Sequence, residues 1–139
     1  MERFYLLSAL FLGACAPIPH YERVAPELVG SIAEGATPAR RAVVLLCEPR
    51  SDLLCDHYER HAVSSDGLFR IVSDKRLRLF TVLGDVLFQW GFDIESDGIT
   101  YIGYRGTAYG IVSEERITLT CQLAGSSPKG RADAKPVCK

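Results

Sequence analysis

Few side chains in this 139-residue chain have chemistry to offer, and their spacing narrows it further. Two of the three histidines stand four apart in His57-Tyr58-Glu59-Arg60-His61. On a helix they would share a face and could ligate zinc, but on a strand the same spacing sets them about 13 Å apart, too far for one ion. The flanking pattern is that of a strand, so these are strand histidines and no metal site is expected. Asp93-Ile94-Glu95-Ser96-Asp97-Gly98 opens like a calcium-binding loop. Its twelfth position is Tyr104, where such a loop needs a carboxylate, and no helices flank it. The acids read instead as the wet face of a strand and the start of a turn. Asp85, Asp93 and Glu95 could between them supply an acid pair, but carboxylates at turns and on solvated faces are common. The chain has no Gly-x-Ser-x-Gly elbow, no Cys-x-x-Cys pair and no glycine-rich phosphate loop. The expectation is a protein with no catalytic residues and no cofactor.

The five cysteines carry more information. An apolar run, Phe4-Tyr5-Leu6-Leu7-Ser8-Ala9-Leu10-Phe11, leads into Leu12-Gly13-Ala14-Cys15. It falls well short of the roughly 20 residues of a membrane span but suits the apolar region of a secretory signal. Leu12-Gly13-Ala14-Cys15 resembles the lipobox of bacterial lipoproteins. The resemblance implies that the Cys15 thiol receives a diacylglyceryl group and that residues 1–14 are removed as a signal peptide. Two or three acyl chains hold a protein firmly where one alone binds reversibly. Ala16 stands after the cysteine where aspartate would mark retention in the inner membrane. The resemblance therefore implies an outer-membrane anchor facing the periplasm. Residues 15–26, with Pro17, Pro19 and Pro26, read as the lipidated N-terminus and an extended tether.

An odd cysteine count in an exported chain leaves one sulfur over. Lipid on Cys15 accounts for it, and Cys47, Cys55, Cys121 and Cys138 can then form two disulfides with three possible connectivities. Cys47 with Cys55 brackets a turn-bearing loop, Glu48-Pro49-Arg50-Ser51-Asp52, and leaves Cys121 to tie the polar tail through Cys138. Cys47 with Cys121 stays open as a rival. Cys121 shares its parity with Ile117, Leu119 and Leu123, so it points inward, where another strand's cysteine can meet it.

Around these residues the pattern is of short strands. Removing the first 14 of 139 residues leaves 125, enough for one core. The 16 basic and 17 acidic residues give a net charge of −1, which does not steer the chain toward nucleic acid. Residues 42–47 form a continuous apolar run too short for a typical helix, and so predict a central strand buried on both faces. Val86, Phe88, Trp90, Phe92 and Ile94 share one parity, and Gln89, Asp93 and Glu95 the other. That alternation predicts a half-buried strand with its aromatics inward. Further strands are predicted over 28–32, 58–63, 68–72, 77–83, 99–104, 109–112 and 117–123. Asp66-Gly67 and Asp97-Gly98 each stand between two such runs and predict type I′ hairpins, with positive φ at both central positions. Residues 124–139, rich in Gly, Ser, Pro and Lys, predict a polar tail that is mobile up to Cys138. The sum is an all-β domain over 27–123, a β-sandwich of about seven to eight strands.

Two family resemblances add to this. Leu28-Val29-Gly30-Ser31-Ile32, then Ala42-Val43-Val44-Leu45, then Ser65-Asp66-Gly67-Leu68-Phe69-Arg70-Ile71 resemble the carboxypeptidase-regulatory-like, or transthyretin-like, Greek-key β-sandwich. That likeness covers residues 28–72 and implies a binding or assembly accessory of the envelope without catalysis, serving an envelope protein partner. At the other end, Ser96-Asp97-Gly98-Ile99-Thr100-Tyr101, Tyr104-Arg105-Gly106-Thr107-Ala108 and the run from 116 to 123 are similar to membrane-bound inhibitors of c-type lysozyme. In that family a Ser-Gly-x-x-Tyr loop and a following lysine enter the enzyme cleft. Here Asp97 separates Ser96 from Gly98, and Arg105 stands in the lysine's place. This alternative ranks second. Tyr101, Tyr104 and Tyr109, with Arg105 among glycines, are the candidate partner-binding residues, since tyrosines near bends make amphipathic contact surfaces.

Overall fold

The computed structural model describes residues 20–23, 25–50, 55, 58–73, 75–78, 87–109 and 116–139. Cys15 and the apolar run before it, His57, Asp85, the strand expected over 109–112 beyond Tyr109, and most of the one over 77–83 lie outside these residues, as do the side chains of Phe88 and Tyr109. The described residues form ten strands and no helix: β1 (His20–Arg23), β2 (Glu27–Glu34), β3 (Thr37–Pro38), β4 (Val43–Arg50), β5 (Tyr58–Ala62), β6 (Leu68–Ile71), β7 (Lys75–Arg78), β8 (Leu87–Ser96), β9 (Ile99–Tyr109) and β10 (Arg116–Gln122). Among the described residues no helix is long and apolar enough to cross a membrane.

Eight strands form two facing sheets. One has the order β5-β4-β8-β9, so the doubly apolar β4 is indeed interior. In the other, β2 lies between β10 on one edge and β6 and β3 on the other. The β2–β10 pair is parallel, from Glu27 opposite Arg116 to Ala33 opposite Gln122. The remaining pair, β1 with β7, makes a separate two-stranded ribbon.

Alternation places the core. Val44, Trp90, Phe92 and Ile94 from one sheet meet Leu28, Ile32, Phe69, Ile71, Leu119 and Cys121 from the other. Phe69 and Phe92 touch across the interface edge to face, ring centroids 5.7 Å apart, a geometry that sets the positive rim of one ring on the negative face of the other. Tyr104 lies beside Trp90 at 5.2 Å and closes the aromatic row.

The two Asp-Gly turns behave differently. At Asp97-Gly98 both residues have positive φ, 49° and 78°, and the chain turns straight back from β8 into β9, as expected of a hairpin. At Asp66-Gly67 only the glycine does, with φ 75°. There the expectation of a hairpin is corrected: β5 and β6 belong to opposite sheets, and the turn is a corner between them. Ser64 organises it. Its amide bonds the Leu68 carbonyl at 2.9 Å, and its hydroxyl accepts the Leu68 amide at 3.0 Å. A type I′ turn matches the twist of a paired ribbon, a requirement a corner does not impose.

The tail is also corrected, from mobile to docked. The Lys129 amide donates to the Thr100 carbonyl at 2.7 Å, and those of Val137 and Cys138 donate to Ile102 and Gly103 of β9. On the other side Lys139 and Thr120 exchange backbone bonds, and the Gln122 amide reaches the Val137 carbonyl. Residues 137–139 thus lie between the open edges of β9 and β10. One seam of the sandwich is closed by the tail and the opposite one by the 64–67 corner, which leaves fewer unpaired strand edges exposed.

Candidate functional site

The site of densest chemistry lies on the outer face of the β5-β4-β8-β9 sheet. Asp93, expected on a wet face, has no exposed surface. Its Oδ1 accepts Arg105 Nη2 at 2.5 Å and its Oδ2 accepts Lys129 Nζ at 2.5 Å. An ionised carboxylate deep in a protein is tolerable only when paired and hydrogen-bonded, and two cations meet that demand. The local fold brings them there. A register shift between Phe92 and Asp93 puts Tyr104 and Ile102 opposite them, so that Gly103 has no partner on β8. Arg105 then stands opposite Gly91, and a Cβ there would lie only 2.9 Å from the Arg105 Cδ. Glycine leaves the side chain room to cross, and Nη1 is fixed on the way by the Phe92 and Tyr104 carbonyls at 2.8 and 2.9 Å.

Cys47 and Cys55 are bonded to each other beside this cluster, and Cys121 to Cys138 in the tail seam, so the favoured connectivity is the one formed and Cys47 with Cys121 is not. The Cys47 and Cys55 sulfurs and an Asp93 oxygen lie within 4.8 Å of one another, a spacing that would suit a metal ion. Joined in a disulfide, the sulfurs are not the thiolates that ligate metal, and the carboxylate is engaged by two cations. On the same face Arg60 meets Glu95 through two 3.2 Å bonds, a forked pair largely in solvent. His61, expected to be an exposed strand histidine, is instead half-buried, 3.3 Å from Glu59 on its own strand.

A second carboxylate cluster sits on the outer face of the other sheet. Glu27 accepts Arg70 Nε at 2.6 Å and Arg116 Nε at 3.0 Å. These hydrogen bonds, Arg70's first and Arg116's next, hold its carboxyl below the ordinary value of 4.5, against a smaller opposing effect of burial. A depressed carboxylate stabilises the folded chain above its unfolded pKa, and that contribution disappears as pH falls through the folded value. The stability gap between the natural chain and Glu27→Gln is therefore expected to be constant near neutrality and to close on acidification below about pH 4.5. Urea unfolding of both at pH 7 and pH 3 measures it; a gap that stays constant would rule the linkage out.

Next to this cluster a groove of about 900 Å³ runs over the sheet, lined by Val29, Ser31, Leu68, Arg70, Thr118 and Thr120 among others. Leu68 is 55% exposed.

Of the tyrosines expected to bind a partner, Tyr101 and Tyr104 are half-buried and pack on the core, and Arg105 is engaged with Asp93. The structure brings Arg105 together with Asp93, Lys129 and the Cys47–Cys55 bond, while Tyr101 and Tyr104 pack against the core and not beside it in solvent. Lys129 was missed by sequence reasoning because nothing local marks a lysine in a Gly/Ser/Pro tail. Asp93 could have been found: if β4 is covered on both faces, the outer face of its neighbour β8 must be partly covered too. Comparison with known protein families, with curated proteins and with solved structures finds no match to this chain.

Proposed function

We propose that the protein is a lipid-anchored, non-catalytic binding or assembly accessory, held by Cys15 to the outer membrane and facing the periplasm. The observation that carries this reading is cysteine parity. Cys47–Cys55 and Cys121–Cys138 use four sulfurs, and the fifth stands at the end of Leu12-Gly13-Ala14-Cys15. Disulfides are kept in oxidising compartments, so two of them in one small domain support export, and the remaining cysteine is where the lipobox resemblance asks for the acyl group. The likeness to the transthyretin-like plan supports an accessory role, and the groove over β2, β6 and β10 is an open surface on which a partner can sit.

Metabolic labelling with radioactive palmitate tests the anchor: label is expected on the natural chain and absent from Cys15→Ser. Equal label on both would remove the site. The lysozyme-inhibitor reading has no observation in its favour, because Ser96 is buried and Arg105 is turned onto Asp93. The chain is expected to leave c-type lysozyme active at micromolar concentration; nanomolar inhibition lost on changing Ser96 and Arg105 would reverse the order of the two readings.

A further inference from the structure

The β1–β7 ribbon belongs to neither sheet, and its composition differs from theirs. Its eight residues, His20-Tyr21-Glu22-Arg23 and Lys75-Arg76-Leu77-Arg78, include four cationic side chains and one acid in a chain whose net charge is −1. Its register sets Tyr21 opposite Leu77 and Arg23 opposite Lys75, so these four positions share one face. Tyr21 is 71% and Leu77 51% exposed, an aromatic and an aliphatic side chain directly across from each other in solvent. Exposed apolar groups beside clustered cations are the composition of a surface that meets an anionic interface, the apolar groups entering the headgroup layer and the cations pairing with phosphate.

Chain length decides which interface. Five residues lie between Cys15 and Tyr21, and the six Cα-to-Cα steps span at most about 22 Å when fully extended. A chain anchored at Cys15 therefore cannot carry this ribbon far from the bilayer. Tyrosine suits the place, with an apolar ring for the acyl boundary and a hydroxyl for the headgroups.

We infer that the β1–β7 ribbon is a membrane-contact element, whose Tyr21/Leu77 face, with Lys75 beside it and Arg23 at the register position opposite Lys75, seats on anionic phospholipid headgroups next to the lipid anchor. This rests on the anchoring reading above. The contact fixes the orientation of the sandwich: with the ribbon on the bilayer, the domain is held down at two points instead of swinging on a tether.

The test uses the full chain purified from cell envelopes in detergent and reconstituted into neutral phosphatidylcholine vesicles or into vesicles of phosphatidylcholine and phosphatidylglycerol, seven to three. Amine acetylation followed by peptide mass spectrometry reads Lys75 against Lys139. With about a fivefold effect per cation near an anionic surface, Lys75 is expected to react at least about fivefold more slowly in the anionic vesicles than in the neutral ones. High salt should restore its rate, and Lys139 should not change. Tyr21→Ser combined with Leu77→Ser, at exposed positions that do not support the core, should abolish most of that protection.

Equal Lys75 rates in the two vesicles would overturn the inference. So would protection that appears in detergent and grows with protein concentration, which would assign the face to a second copy of the chain. The mass of the N-terminal peptide is read in the same experiment. An unacylated Cys15 removes the anchoring reading alone, and protection of Lys75 in that sample would show that the ribbon binds the surface without help.

Discussion

Asp93→Ala is expected to destabilise the protein by about 3 kcal/mol, at the lower end of what breaking a buried ion pair costs, because both cations keep some contact with water. The carboxylate is fully buried while the Arg105 and Lys129 side chains are 23% and 33% exposed. Removing it takes away the carboxylate shared by a guanidinium, fixed by two backbone carbonyls, and an ammonium. A second effect works in the same direction, since Lys129 ties the tail to the face of β8. In urea the midpoint should fall by more than about 1 M. The companion variant, Asp93→Leu with Arg105→Met, should recover part of the loss, because it removes the carboxylate together with the more buried of its two cations and leaves only Lys129, a third exposed to water. A cost below about 1 kcal/mol for Asp93→Ala would mean that the cluster is solvated in solution and is not part of the interior.

Breaking the tail seam is the second large effect. Cys121→Ala with Cys138→Ala opens a link with a sequence separation of 17, worth about 3 kcal/mol on the loop-entropy account. The Cys47–Cys55 link, with a separation of 8, is worth about 2.5 kcal/mol on the same account. The two totals nearly agree, so the location of the damage is the sharper measurement. Residues 137–139 bond to both β9 and β10, and without the covalent tie their amides depend on a few edge hydrogen bonds. Native-state hydrogen exchange should show the Val137, Cys138 and Gln122 amides opening first in the Cys121/Cys138 variant, well before the amides of β4 and β8. In the Cys47/Cys55 variant those three amides should stay protected. If both variants lose protection evenly across the molecule, the tail is not an independent seam.

Both effects concern features the chain's local pattern under-described. Asp93 has the parity of Gln89 and Glu95, and alternation alone assigns it to solvent. Only the docking of Lys129 from residues 36 positions away and the folding back of Arg105 over Gly91 make that face an interior. The tail's Gly, Ser and Pro content reads as loop, which it is, but loops become ordered when an unpaired strand edge accepts their amides.

Most of the strands were legible, because alternation with period 2 and β-branched or aromatic content are properties of single segments; β1, in a stretch expected to be extended tether, and the two-residue β3 carry no such pattern and form only by pairing with β7 and β2. The turn at Asp97-Gly98 was legible for a similar reason: two residues that tolerate positive φ, between runs long enough to pair, determine a hairpin locally. The same dipeptide at Asp66-Gly67 turned a corner instead. Whether a strand returns to its own sheet depends on which edges distant strands have filled, and no window of sequence contains that. The count of five cysteines likewise pointed to two links and one spare sulfur, while the choice of partners waited on which Cα atoms the sheets brought together, 5.0 Å for Cys47 with Cys55 and 4.0 Å for Cys121 with Cys138. Backbone preference and alternation act over a few neighbouring residues and are therefore written in the chain; coverage of a face, sharing of an edge and pairing of buried charge are contacts across tens of residues, and they come into being only when the sheets close on each other.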